Sequence, residues 1–188
     1  MKIGEHLYFA PGVRFNQLNV NDPMIIQHFH SRIEGYYLIP AKILAEKEDY
    51  AFPATLLLAS AIDAIARDDS RPARNRERYV GWLQIAFPCL ATKPLAEQFY
   101  DDFRCGLVHE ARAKNGCVFT TFIGGPVFVE NGIMAINPQR FAKDVFQALD
   151  NFCAKLKNFP DALKKFQNQL KKRFSTRAFV QLKLRNRI

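Results

Sequence analysis

Apolar residues recur at three- and four-residue steps through most of the chain, and that spacing predicts helices. Ile25, Ile26, Phe29, Ile33, Tyr36 and Tyr37 form the first stripe, opened by Asn21-Asp22-Pro23. Asp22 suits an N-cap because its carboxylate can accept a bond from an orphan backbone N–H, and Pro23 has no N–H to leave unpaired. Pro40 is expected to break or kink this pattern before it resumes over 41–48. The segment 54–66, after Pro53, is apolar nearly all round and predicts a central helix. Its one acid, Asp63, then needs a partner, because an unpaired buried carboxylate is costly. A third helix is predicted from near Pro72 to about Phe87. A fourth follows Thr92, with Pro94 just inside and Leu95, Phe99, Phe103 and Leu107 along one stripe.

The period then changes. Residues 117–136 hold short β-branched and aromatic runs separated by Gly124-Gly125-Pro126 and Asn131-Gly132, which reads as strands joined by turns. Asn137-Pro138 opens a fifth helix through Phe141, Val145, Leu149, Phe152 and Leu156, and a sixth, basic helix is expected after Pro160. The fold class predicted is mainly α: a helical bundle with a small antiparallel β hairpin or meander inserted near 117–136. The organisation expected is a bundle over 1–160 and a basic helical segment over 161–188, packed on the same domain.

Composition narrows the function classes. The chain has 188 residues, of which 48% are hydrophobic and 24% charged, so a disordered or collagen-like reading is excluded. Its apolar runs are shorter than the roughly 18 residues a membrane span needs, and the first residues carry no hydrophobic leader. A cytoplasmic protein without membrane attachment is therefore expected. Cys89, Cys105, Cys117 and Cys153 make no C-x-x-C pair and read as reduced thiols. Charge is uneven: from Lys155 to the end, eleven Lys and Arg face Asp161 alone, a net +10, whereas the rest of the chain sums to −1. A basic block of this kind attracts polyanions, which makes RNA or a nucleotide the expected partner. Lys171, Lys172 and Arg173 are the substrate-binding candidates there. Arg71, Arg74, Arg76 and Arg78 are a second set, since cations at a helix start oppose its dipole. A solvated helix end paired with nearby acids explains that cluster equally well.

The most pointed chemistry lies in Phe99-Tyr100-Asp101-Asp102-Phe103-Arg104-Cys105-Gly106-Leu107-Val108-His109-Glu110. Cleavage of RNA through its own 2′-hydroxyl needs a group that moves protons near neutral pH and a fixed positive charge on the phosphoryl oxygens. Imidazole meets the first need and guanidinium the second. No metal or other cofactor is called for; His28 and His30 face different sides of their helix and suit no shared metal. On an ideal α-helix five steps of about 100° leave Arg104 and His109 roughly 140° apart. Gly106 between them offers a bend or close approach that brings the two together. Asp102 and Asp63 are the acids placed to orient this pair, with Asp63 facing Arg104 across the bundle. Structural ion pairs, Arg104 with Asp101 or His109 with Asp102, are the plain alternative, and a Cys105–His109 thiolate pair is a lesser one.

Arg104 to His109 resembles the R-x(4–6)-H signature of the HEPN superfamily, placed late in a helical bundle as in that family. The resemblance implies a metal-independent endoribonuclease whose Arg104 holds phosphate and whose His109 relays the proton. It also implies a homodimer with both helices facing one cleft, and a role as a toxin or in phage defence, where a regulatory protein partner fits. The rival is a HEPN-like module that binds nucleotide or RNA without turnover.

Overall fold

The computed structural model describes residues 2–3, 6–69 and 74–174. It is mainly helical with small sheets. Three short antiparallel strands, β1 (Lys2–Ile3), β2 (His6–Ala10) and β3 (Val13–Arg14), precede the helices. They went unpredicted because two- and five-residue strands carry almost no periodic signal. Phe9 of β2 is fully buried, with the rings of Phe15 and Phe174 at 5.5 and 5.6 Å.

Helix α1 (Ile25–Ile33) starts just after the expected turn, where Asp22 Oδ1 accepts the Met24 N–H at 2.8 Å. It runs through one wide π-turn, Glu34–Leu38, into α2 (Ile39–Ala45). That turn accounts for Pro40: proline cannot donate to the preceding turn and crowds its carbonyl, and the wider winding ahead of it gives the ring room. The central helix α3 (Ala51–Asp69) follows. Over Glu48–Asp68 it is long and apolar enough, by length and composition, to cross a membrane. In the fold those faces pack against α2 and against α4 (Asn75–Ala86), α6 (Pro138–Asn158) and α7 (Pro160–Arg173).

Helix α5 (Lys93–Gln98) continues without a break into a π-helix, Phe99–Glu110. A chain of rings ties it to the rest of the core. Phe87 meets Phe141, Phe141 meets Phe99, Phe99 meets Phe103 and Phe103 meets Phe119, with centroids 5.3 to 5.7 Å apart. Phe119 lies on β4 (Val118–Phe119), so the last link fastens the β insertion to the helices. Strands β5 (Val127–Glu130) and β6 (Ile133–Ile136) form the antiparallel hairpin, while β4 pairs with β6 in parallel. Its turn is Asn131-Gly132, both at positive φ, as a two-residue hairpin requires. Asn137 caps α6 by accepting the Arg140 N–H at 3.2 Å, and its side-chain amide donates to the carbonyls of Thr121 and Ile123. The helix start and the β insertion thus share one side chain.

Cys153 is buried by this packing and Cys89 is half-buried. Burial pushes the Cys153 thiol up to about 12 and the Cys89 thiol to about 11. In the unfolded chain a thiol ionises near pH 8.5, so between that pH and the raised values the native state holds the extra proton. Stability is therefore expected to fall as pH rises above about 8.5, by roughly 1.4 kcal/mol per pH unit for the buried Cys153 thiol and by less for the half-buried Cys89. Urea unfolding of wild type and Cys153→Ala between pH 8 and 10.5 checks this, and the variant is expected to lose stability less steeply.

Candidate active site

The geometry of Arg104 and His109 depends on the winding of their helix. In a π-helix the backbone bonds run from i to i+5, so residues five apart stand one turn apart on the same face. Phe99–Glu110 is wound this way, and Arg104 Nη1 donates to His109 Nε2 at 3.2 Å. The separation of about 140° expected for an α-helix is thereby corrected. Guanidinium has no acceptor, so Nε2 is the unprotonated nitrogen of His109 in this arrangement.

Arg104 is held from its other side by Asp63 of α3, with Nη2 at 3.5 Å from Oδ2, and its guanidinium lies 5.6 Å from the centre of the Tyr100 ring. The same Asp63 oxygen accepts from Arg67 Nη2 at 3.0 Å, one turn along α3. Asp63 thus has the partner its place in an apolar helix requires. Burial by itself lowers the pKa of Arg104, yet the nearby Asp63, Tyr100 and Cys105 outweigh it and leave the guanidinium above its ordinary value. Its charge is permanent at any working pH. His109 is exposed, whereas the Arg104 side chain is 18% exposed, so the site has a fixed inner cation and an accessible outer imidazole.

Behind Arg104 opens a cavity of about 410 Å³. Asp63, Arg67 and Arg104 line it together with Arg32 of α1 and Arg173 of α7. Arg173 reaches it as the partner of Asp68, with Nη2 at 2.8 Å from Oδ1. Burial raises the pKa of Asp68 and the Arg173 guanidinium opposes the rise. Sequence reasoning placed Arg173 in a basic tail and did not single out Arg32 or Arg67. Nothing local marks them, because Arg32 and Arg173 lie 141 positions apart.

Asp102 is not part of this arrangement. It is 2% exposed and faces the loop after the helix, where Oδ1 accepts from Asn115 Nδ2 at 2.6 Å and Oδ2 from the Cys117 thiol at 3.4 Å. The π-winding turns it away from His109, and of the two acids only Asp63 contacts the Arg104–His109 pair. Nor does Arg104 pair with Asp101, whose partner is Arg76.

The arginines at the start of α4 are engaged locally. Arg76 bonds Glu97 and Asp101 at 2.8 Å each and lies over Tyr100, and Arg78 donates to Asn75. At the helix start the Arg74 backbone N–H donates to Glu77 Oε2 at 3.3 Å. Arg71 lies outside the described residues. Exposed ion pairs of this kind contribute about 0–1 kcal/mol, so Arg76→Ala is expected to change stability by no more than that in urea unfolding. Lys171 and Lys172 are exposed on α7 and do not line the cavity. Among the described residues no three His, Cys, Asp or Glu side chains gather as a metal-ligand set; His30 contacts Asp150 and Glu34 instead.

No family model matches the chain, and no curated protein or solved structure matches it.

Proposed function

We propose that the chain is a metal-independent endoribonuclease of HEPN type, with Arg104 and His109 as its catalytic residues and Asp63 as the positioning residue. The observation that carries this reading is the 3.2 Å approach of Arg104 Nη1 to His109 Nε2 beside a cationic cavity. When the substrate phosphate draws the Arg104 N–H away, the freed His109 Nε2 takes the proton of a substrate 2′-hydroxyl, and the 2′-oxygen attacks the adjacent phosphorus. Arg104 places fixed N–H donors on the phosphoryl oxygens as negative charge grows there. The P–O5′ bond breaks, and the products are a 2′,3′-cyclic phosphate and a 5′-hydroxyl. One imidazole must return its proton to the leaving oxygen, or a second copy of the chain supplies another. A homodimer with its two sites in one cleft fits that need.

Incubation of end-labelled RNA with the protein in excess chelator tests the reading. Cyclic-phosphate ends made by wild type, and lost in both Arg104→Ala and His109→Ala, support it. Cleavage that persists in both variants removes it. The rival, RNA or nucleotide binding without turnover, would show as steeply salt-dependent retention with no new ends.

A further inference from the structure

The cavity behind Arg104 carries charge that its own residues do not balance. Asp63 serves both Arg67 and Arg104, and Asp68 serves Arg173. Arg32 makes no ion pair with a carboxylate among the described residues and feels Asp68 only at longer range: its Nη1 donates to the Phe9 carbonyl, and its guanidinium lies 5.1 to 5.8 Å from the ring centres of Phe9, Tyr36 and Phe174. Among the described residues, four guanidiniums against two carboxylates leave an excess of two positive charges around one cavity. Arginine does not shed its proton in a protein, so the excess cannot be relieved by titration. A bound anion would relieve it.

Size and charge together narrow that anion. A cavity of about 410 Å³ is near the lower end of the range for small-ligand pockets and has room for one nucleotide-sized group. An internal phosphodiester brings one negative charge, whereas a phosphomonoester brings about −1.5 to −2 at neutral pH. Arg104 faces the scissile diester, which leaves Arg32, Arg67 and Arg173 for a second anionic group, and a further internal diester would need a nucleotide on each side of it and exceed the space. A single terminal phosphate meets both limits. Guanidinium forks also suit its oxygens, which accept paired N–H bonds, and the rings of Tyr37 and Phe174 line the same cavity for a base to rest against.

We propose that this cavity binds the terminal phosphomonoester of an RNA strand among Arg32, Arg67 and Arg173, so that Arg104 and His109 act on a link close to a phosphorylated end. The identity of the ligand as RNA rests on the ribonuclease reading, while the preference for a terminal phosphate rests on the charge and volume of the cavity. The two are separable by measuring binding in His109→Ala, which needs no turnover.

The experiment titrates that variant with one short RNA carrying a 5′-phosphate, a 3′-phosphate or hydroxyls at both ends, with inorganic phosphate as a competitor. One phosphorylated form is expected to bind about tenfold or more tightly than the hydroxyl form. Adding Arg67→Gln, a half-exposed position whose loss leaves the core packed, is expected to abolish that gain. Equal binding of all three RNAs overturns the proposal, as does a preference that survives Arg67→Gln. Inorganic phosphate displacing the RNA as well as the phosphorylated RNA itself does would assign the cavity to free phosphate and overturn it too. Should wild type cut no RNA while the end preference holds, the ribonuclease reading fails and the phosphate site stands.

Discussion

Arg104→Ala and His109→Ala are each expected to lower kcat/KM for RNA cleavage by about 10²- to 10⁴-fold, the range for loss of a general base or of a preorganised charge donor. Because the two side chains touch, their effects should not add: once one is gone, removing the other costs much less. The pair also separates by pH. His109→Ala should remove the limb of the rate profile that reports imidazole ionisation, whereas Arg104→Ala should lower the whole profile and leave its shape, since guanidinium does not titrate in the range. A double-mutant cycle with single-turnover kinetics from pH 5 to 9 reads both results. Additive losses would place the two residues in independent roles.

Gly106→Ala is expected to reverse the usual sign of that substitution. In an ordinary helix interior alanine is favoured over glycine by roughly 0.5–1 kcal/mol. Here the helix ends at Ala111 with φ 53°, and the chain folds back so that the Arg112 N–H donates to the Gly106 carbonyl at 3.3 Å. A Cβ at Gly106 would collide with the Arg112 carbonyl oxygen and press on Lys114 Cγ at 3.2 Å. Backbone has to move, which for overpacking costs about 1–3 kcal/mol. For a chain of this length a cost of about 2 kcal/mol corresponds to a fall of roughly 4–8 °C in Tm. The same fold-back carries Asn115 and Cys117 to Asp102, and Gly106 lies between Arg104 and His109, so activity should fall together with Tm. Calorimetry beside the cleavage assay checks this; a rise in Tm would mean that the loop does not need the glycine.

Much of the scaffold was legible because its signals are local. Asn137-Pro138 starts a helix and Asn131-Gly132 makes a hairpin turn through bonds and φ values confined to a few residues. The apolar stripes of the long helices were equally readable, since burial on one face dictates their period. Pro40 was flagged for the right reason, although the outcome was a widened turn rather than a break. The Arg104–Asp63 pair could be anticipated from the cost of an acid in an apolar helix.

The remaining features were settled at longer range. A stripe of two or three turns fits α and π winding alike, so the helix that brings Arg104 against His109 could not be told from its sequence. The fate of Asp102 followed from that winding and from a loop that returns to it. What the sequence determined by itself was a set of helices, a β insertion and one suggestive Arg–His spacing, because hydrophobic period and turn chemistry act over neighbouring residues. Only the tertiary structure decided which charges share a cavity. Arg32, Arg67, Arg104 and Arg173 come from four separate helices, and nothing short of their packing makes four scattered cations into one site.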